Sequence, residues 1–339
     1  MGANIKVAAV QAAPVFLDLD GAVDKAIALI EEAARNGARL IGFPETWIPG
    51  YPFWIWINCP AESLDLVRQY HENSLSADSP QLQKLCNTAK ENNIMVVMGA
   101  SERIGGSLYL SQFFIESDGS LIDVRQKLKP THVERTIFGD GYGHNLNVYD
   151  TSVGRVGGLC CWEHLQPLSK YALYSQNEQI HVGAWPSFSL YKGKAYSLGP
   201  EMNMAVSSVY AAEGQSFFIA PCGVISDEIV ELIADTSGKK DLLPAGGGHA
   251  MIFGPDGAAM CEPLDEKAEG LLYAELDFSA ITIAKSFADP TGHYSRPDVT
   301  RLLLNTSPVT PVELYSNPPP QSVSGDDTGT EAEVESAVP

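Results

Sequence analysis

The chain has 339 residues and carries 42 Asp and Glu against 22 Lys and Arg, a formal charge of −20. That balance argues against a nucleic-acid binder, which needs clustered Lys and Arg to neutralise phosphates, and against docking on an anionic membrane surface. With 45% hydrophobic and 19% charged residues the composition is globular, six Cys are too few for a disulfide scaffold, and no stretch reaches 18 apolar residues to span a membrane.

In chain order, strand-like and helix-like segments alternate. Ile5 to Gln11 reads as a buried strand, after an amino-terminal hexapeptide without a basic region and apolar core, so a cytoplasmic protein is expected. A helix follows, with Asp20 as its expected cap and Val23, Ile27, Ile30 and Ala34 on one face, until Asn36-Gly37 stops it. Leu40 to Phe43 is the next strand and runs into Pro44-Glu45. Ser79-Pro80 opens a helix carrying Leu82, Leu85 and Ala89, and Ile94 to Met98 is a strand. Leu108 to Ile115 and Leu121 to Arg125 flank Ser117-Asp118-Gly119, a hairpin signal.

Val156 to Cys161 is a glycine-containing strand, followed by a helix at about 167–175 and a strand at Ile180 to Ala184. Glu201 to Glu213 reads as helix and Ser216 to Ala220 as strand. Met251 to Phe253 and Leu271 to Leu276 are expected to pair with each other across Gly254-Pro255-Asp256-Gly257. The pattern is α/β with mixed strand directions. No repeat or linker divides it, so one domain is expected over 1–285, then an arm over 286–317, then a disordered acidic tail over 318–339. The tail holds five acidic residues and no basic one, which leaves −15 on the rest.

Three polar groups follow apolar strands: Glu45, Lys127 and Cys161. In α/β sheets ligands bind in crevices outside the carboxyl ends of strands, so the three can converge although far apart in sequence. Cys is the strongest neutral-pH nucleophile once it is a thiolate, a Lys ammonium beside it lowers its pKa, and a carboxylate can take its proton and later activate water. Singly, each residue has a plainer reading: a packed cysteine, a solvated carboxylate, a surface lysine.

The local sequences change that reading. Cys161-Trp162-Glu163-His164, Phe43-Pro44-Glu45 and Lys127-Leu128-Lys129-Pro130-Thr131-His132-Val133-Glu134-Arg135 together resemble the nitrilase branch of the carbon–nitrogen hydrolase superfamily. Ile48-Pro49-Gly50-Tyr51-Pro52, Asn177-Glu178-Gln179-Ile180-His181 and Asp289-Pro290-Thr291-Gly292-His293 extend the resemblance over roughly residues 5 to 305.

The resemblance implies a four-layer α-β-β-α sandwich and a triad of Glu45 as general base, Lys127 stabilising the intermediate and Cys161 as nucleophile. Glu134 matches a second carboxylate of the family that helps position substrate and Lys127. Cys160 points to the opposite face of its strand by alternation and is expected to pack. Gln126 departs from the Arg that commonly precedes the lysine. The implied reaction converts an organic nitrile to the carboxylic acid and ammonia through a covalent thioimidate and thioester, with the Trp162 backbone N–H helping Lys127. No metal or organic cofactor is implied. The implied partners are a small nitrile and further copies of the chain, as a dimer building block that can extend helically.

Tyr51, Phe53, Trp54, Trp56, Trp185 and Phe188 supply aromatic walls that suit an apolar nitrile, with Trp185 and Tyr51 the leading substrate-binding candidates and Thr131 beside Glu134. His132, His164 and His293 lie in the motifs and are read as hydrogen-bonded structural histidines. Gly246-Gly247-Gly248 lacks the Lys-Ser/Thr of a phosphate loop. An amidase and a cyanide-hydrolysing enzyme share most of these motifs, and a non-catalytic assembly subunit is the alternative of another class. Overall similarity leans towards aliphatic or arylacetonitrile substrates.

Overall fold

A computed structural model describes residues 4–310, 312 and 314. The chain divides into two units, Met1–Pro308 and Val309–Pro339. The acidic tail over 318–339 lies outside the described residues, as does the end of the expected arm. Among the described residues no helix is long and apolar enough to cross a membrane.

The first unit is built on two sheets. One contains β1 (Ile5–Ala12), β2 (Ala38–Gly42), β3 (Met95–Ile104), β4 (Ser107–Ile115), β5 (Leu121–Gln126), β10 (Cys222–Gly223) and β12 (Gly270–Leu276). The other contains β6 (Tyr149–Thr151), β7 (Gly154–Cys160), β8 (Ile180–Ala184), β9 (Phe217–Ala220) and β11 (Met251–Phe253). β1, β2 and β3 run parallel, as do β7, β8 and β9. β3, β4 and β5 form antiparallel pairs, so β5 ends at the same edge as β2.

Strand alternation explains the layers. Val7 and Ala9 of β1 join Leu40, Val97, Val156, Ile180 and Val182 in a core between the sheets. Ala8 and Val10 face the other way, onto α1 (Leu19–Arg35) and, through β3, α4 (Pro80–Asn92). The second sheet is covered by α5 (Pro167–Tyr174) and α6 (Pro200–Gly214) through Leu173, Tyr210 and Ala211. The order is α-β-β-α, the four layers that the family resemblance implies.

Several local readings change. The cap of α1 is Asp18, whose side chain accepts the Gly21 N–H at 3.0 Å, and Asp20 lies inside the first turn. β11 and β12 are not a hairpin. β11 pairs with β9 and β12 with β1 over seven residues, from Ile5 with Leu276 to Gln11 with Gly270. Non-local pairing wins because β1 offers β12 a full-length partner, whereas β11 is three residues long. Further helices lie in segments to which the sequence pattern assigns no helix: α2 (Trp54–Ile57), α3 (Leu64–Glu72), α7 (Asp227–Ile233), α8 (Ser237–Leu242) and α9 (Ser279–Ala288).

Candidate active site

β2, β5 and β7 deliver their polar residues at one edge of the paired sheets. After β2, the main chain turns through Phe43-Pro44-Glu45, and the Glu45 N–H donates to the Trp185 carbonyl at 3.2 Å. Gly99 of β3 makes room for this turn, since a Cβ there would fall 1.8 Å from the Pro44 carbonyl oxygen. Thr46, His132 and Cys161 all have positive φ, at 44°, 49° and 48°. Such angles are uncommon in non-glycine residues and persist where surrounding structure imposes them, often at functional sites.

Lys127 is the centre of a buried charge cluster. Its Nζ donates to Glu45 Oε1 and to Glu134 Oε2, each at 2.8 Å. All three side chains are essentially sealed from solvent. Glu134 also accepts the Tyr51 hydroxyl at 2.6 Å and the Thr131 N–H at 2.6 Å, within a capping box that starts the turn His132–Thr136. Burial alone would pull Lys127 down, but Glu134 and Glu45 outweigh it and hold the ammonium well above the ordinary lysine range. Burial pushes the Glu45 carboxyl up to about 8 against the pull of Lys127, and Glu134 adds to the rise.

Cys161 opens the turn Cys161–Leu165 just past β7 and lines a narrow cavity of about 40 Å³ with Glu134, Tyr51, Thr131, Trp162 and Phe188. The adjoining Trp162 backbone N–H favours the thiolate. Burial and Glu45 drive the Cys161 thiol well above the ordinary cysteine range, and Lys127 offsets only part of this. The lysine acts in the expected direction, but the net shift is upward. One ammonium faces two carboxylates, so the cluster has no spare positive charge to favour a thiolate. Cys160 is the last residue of β7 and is 1% exposed, as alternation predicts.

Glu45 faces a second small cavity of about 20 Å³ that shares Tyr51, Phe53, Pro186 and Ser187 with the first. A far larger apolar cleft of about 730 Å³, lined by Phe217, Met260, Ile283 and Phe287, holds no cysteine, lysine or histidine. Cys161 and Glu45 line the small cavities instead.

The aromatic candidates separate. Phe188 and Tyr51 line the Cys161 cavity, together with Phe53 and Trp56, whereas Trp54 is buried against Tyr70 in the core. Trp185 lines neither cavity. Its ring is fully buried, donates to Ser207 Oγ at 3.1 Å and stacks on His164, while its main chain holds Glu45. Its place past a strand end misled because β8 is buried on both faces, so alternation cannot say which face meets the cavity. His132 stacks on Trp56 and is exposed, His293 is exposed, and His164 is buried against the Cys161 carbonyl.

Two supports escaped sequence reading. Glu163 accepts a bidentate pair from Arg125 at 2.5 and 2.7 Å, and also the Leu128 and Cys160 N–H groups at 2.8 Å. It thereby ties the strand end carrying Lys127 to the turn carrying Cys161. Asn203 accepts the Trp162 indole N–H at 3.0 Å. Arg125 carried one visible signal, an arginine following Leu121, Ile122 and Val124 in β5. Gln126, where an arginine is common, donates to Glu102 at 3.0 Å instead.

The carbon–nitrogen hydrolase family pattern matches residues 6–285. The chain belongs to the carbon–nitrogen hydrolase family. It is 59% identical over 304 residues to a nitrilase of Pseudomonas syringae pv. syringae, covering 90% of each chain. It is 53% identical to an aliphatic nitrilase of Rhodococcus rhodochrous, covering 92% of this chain and 82% of the relative. It is 50% identical to an arylacetone-specific nitrilase of Alcaligenes faecalis, covering 89% and 85%. The fold matches Saccharomyces cerevisiae Nit3, a member of the nitrilase superfamily, with TM-score 0.64 and 20% identity over 87% of this chain and 96% of that one.

Proposed function

We infer that this carbon–nitrogen hydrolase is a nitrilase. The observation that carries the reading is the placement of one cysteine, on a left-handed turn in a small, largely apolar cavity, near an ammonium clamped by two buried carboxylates. The names of relatives at 50 to 59% identity support nitrile as the substrate class, and two of them support aliphatic or arylacetonitrile members.

Glu45 takes the Cys161 proton as sulfur attacks the nitrile carbon, and that proton passes to nitrogen, giving a thioimidate. Lys127 and the Trp162 N–H stabilise the charge that grows on nitrogen. Water activated by Glu45 adds to the thioimidate carbon, the C–N bond breaks and ammonia leaves. A second water cleaves the thioester, and the acid and the free thiol are released. Glu134 holds Lys127 and, with Tyr51, Thr131 and Phe188, shapes the acyl pocket.

Ammonia release over a panel of aliphatic, arylacetic and aromatic nitriles, cyanide and the matching amides tests the reading. Acid formation from nitriles with little from amides supports it. Turnover of amides or cyanide alone would replace it with the corresponding relative.

The chain is further proposed to act as a homo-oligomer. Phe287, Tyr294 and Leu303 are 81%, 70% and 97% exposed, an apolar surface that a second copy would cover. Truncation at Ser286 should reduce the assembly size in light scattering; an unchanged size overturns the assignment of the arm over 286–317 to an interface.

A further inference from the structure

From the Cys161 carbonyl a second buried polar chain runs into the second sheet. His164 Nδ1 lies 2.6 Å from the Cys161 carbonyl oxygen. His164 Nε2 lies 2.9 Å from His181 Nε2, and His181 Nδ1 lies 2.7 Å from Glu178 Oε1. The Tyr210 hydroxyl donates to Glu178 Oε2 at 2.7 Å. Glu178, His181, His164 and Tyr210 are each at most 2% exposed. The strands are cut to admit them. A Cβ on Gly157 would fall 2.1 Å from Glu178 Oε1, and one on Gly183 would fall 2.1 Å from the Phe218 ring and 3.0 Å from His164 Nε2.

Hydrogen-bond bookkeeping fixes where the protons sit. A carbonyl oxygen only accepts, so His164 Nδ1 carries hydrogen. A neutral imidazole carries one hydrogen, so His164 Nε2 accepts and His181 Nε2 donates. His181 Nδ1 then meets Glu178 with a single proton between them. The pair holds one proton more than a carboxylate beside a neutral imidazole. The surroundings agree: burial drives both histidines well below the ordinary imidazole range and pushes Glu178 up to about 8. The charged groups nearby do not replace that proton. Arg125 and Glu163 are paired with each other, Tyr210 and Tyr174 are phenols pushed up by burial, and Glu213 faces Tyr174. Trp185 and Phe218 close the remaining sides of His164.

We propose that Glu178, His181 and His164 are positioning residues for the reaction: the proton they share directs the His164 donor onto the Cys161 carbonyl and so holds the left-handed turn that presents the thiol. This rests on Cys161 being the nucleophile. When the shared proton leaves, Glu178 as carboxylate requires an N–H from His181 Nδ1. His181 Nε2 becomes an acceptor, His164 must turn its own hydrogen to Nε2, and its Nδ1 lone pair then faces the carbonyl lone pairs. The clamp is present while the proton is held and is lost as pH rises through the titration of the pair. That loss is an alkaline limb in kcat.

Glu178→Gln separates positioning from packing, because an amide N–H can donate to His181 Nδ1 and has no proton to lose in this range. The kcat–pH profile of Glu178→Gln should keep its plateau at least about one pH unit beyond that of the wild type. Glu178→Leu removes the donor and should lose about tenfold or more in kcat with KM less affected. Coincident alkaline limbs in wild type and folded Glu178→Gln overturn the proposal. If the variants do not fold, solid-state ¹⁵N spectra of histidine-labelled wild type decide: His164 protonated on Nδ1 at neutral pH and on Nε2 above the limb supports it, and Nδ1 bare at neutral pH overturns it. Cys161→Ala tests the underlying reading separately, because it abolishes turnover if Cys161 is the nucleophile, whatever Glu178→Gln does.

Discussion

Glu45 follows β2 of one sheet, Glu178 precedes β8 of the other, and burial pushes both carboxyls up to about 8. Their neighbours give them opposite tasks. Glu45 sits on an ammonium and has one carboxylate oxygen without a partner, so it can lose, take and return a proton. Glu178 has no cation among its hydrogen-bond partners, and both its oxygens are engaged, by His181 and Tyr210. The same desolvation therefore makes a mobile base on one side and a fixed donor on the other. A shifted pKa marks a buried carboxyl, and the geometry of its partners decides what the shift is for.

The comparison breaks first at Cys161. Cys161→Ala should lower ammonia release by about 10⁴-fold or more while circular dichroism and assembly size stay as in the wild type. Unchanged turnover would leave neither carboxyl with a nucleophile to serve. The next largest effect is pH. Glu45 must be ionised to accept the thiol proton, and its carboxyl is raised above its ordinary value, so the base is present above the shifted pKa and lost as pH falls. kcat/KM should therefore drop about tenfold per unit below about 8, giving a loss of about 100-fold two units lower. With the opposite demand of Glu178 on the alkaline side, the profile is a bell, and Glu178→Gln should flatten only its alkaline side. A profile level down to the ordinary carboxylate range would remove Glu45 as the base.

How legible the two sides are in the sequence differs for the same physical reason. Glu45, Lys127 and Cys161 end apolar strands inside dense local motifs, so a linear reading reaches them. The strand and helix alternation was legible too, in the apolar run Val7-Ala8-Ala9-Val10 and the Ser117-Asp118-Gly119 turn, whereas the four layers followed only from the family resemblance. Glu163 and Glu178 were not assigned roles because their partners arrive from elsewhere, Arg125 from β5 and Tyr210 from α6. A carboxylate buried by distant elements looks in one dimension like a solvated one. The pairing of β11 and β12 failed in the same way, since proximity in sequence favoured a hairpin that burial against β9 and β1 overrides. Trp185 shows the converse error, a local position read as a cavity wall when its ring completes the packing around His164.

The smallest effect sharpens the Glu45 side. Tyr51 was read from sequence as a substrate wall, yet its hydroxyl donates to Glu134 at 2.6 Å and accepts the Trp56 indole N–H at 3.1 Å. Burial and the facing carboxylates keep the phenol well above its ordinary range, so it stays a donor. Tyr51→Phe keeps the ring and deletes that donor. A hydrogen bond to a charged group is worth about 1.5–3 kcal/mol; Glu134 keeps its Lys127 and Thr131 donors, so the lower end applies and a loss of roughly tenfold is expected in kcat/KM. Its partition is the informative part. If Tyr51 acts by holding Glu134 against Lys127, kcat falls and KM moves little, because the ammonium is needed most when charge grows on nitrogen. If it acts only as a wall, the phenyl ring suffices and both constants stay close to the wild type. A rise in KM alone would place the hydroxyl on the substrate and detach Tyr51 from the carboxylate cluster.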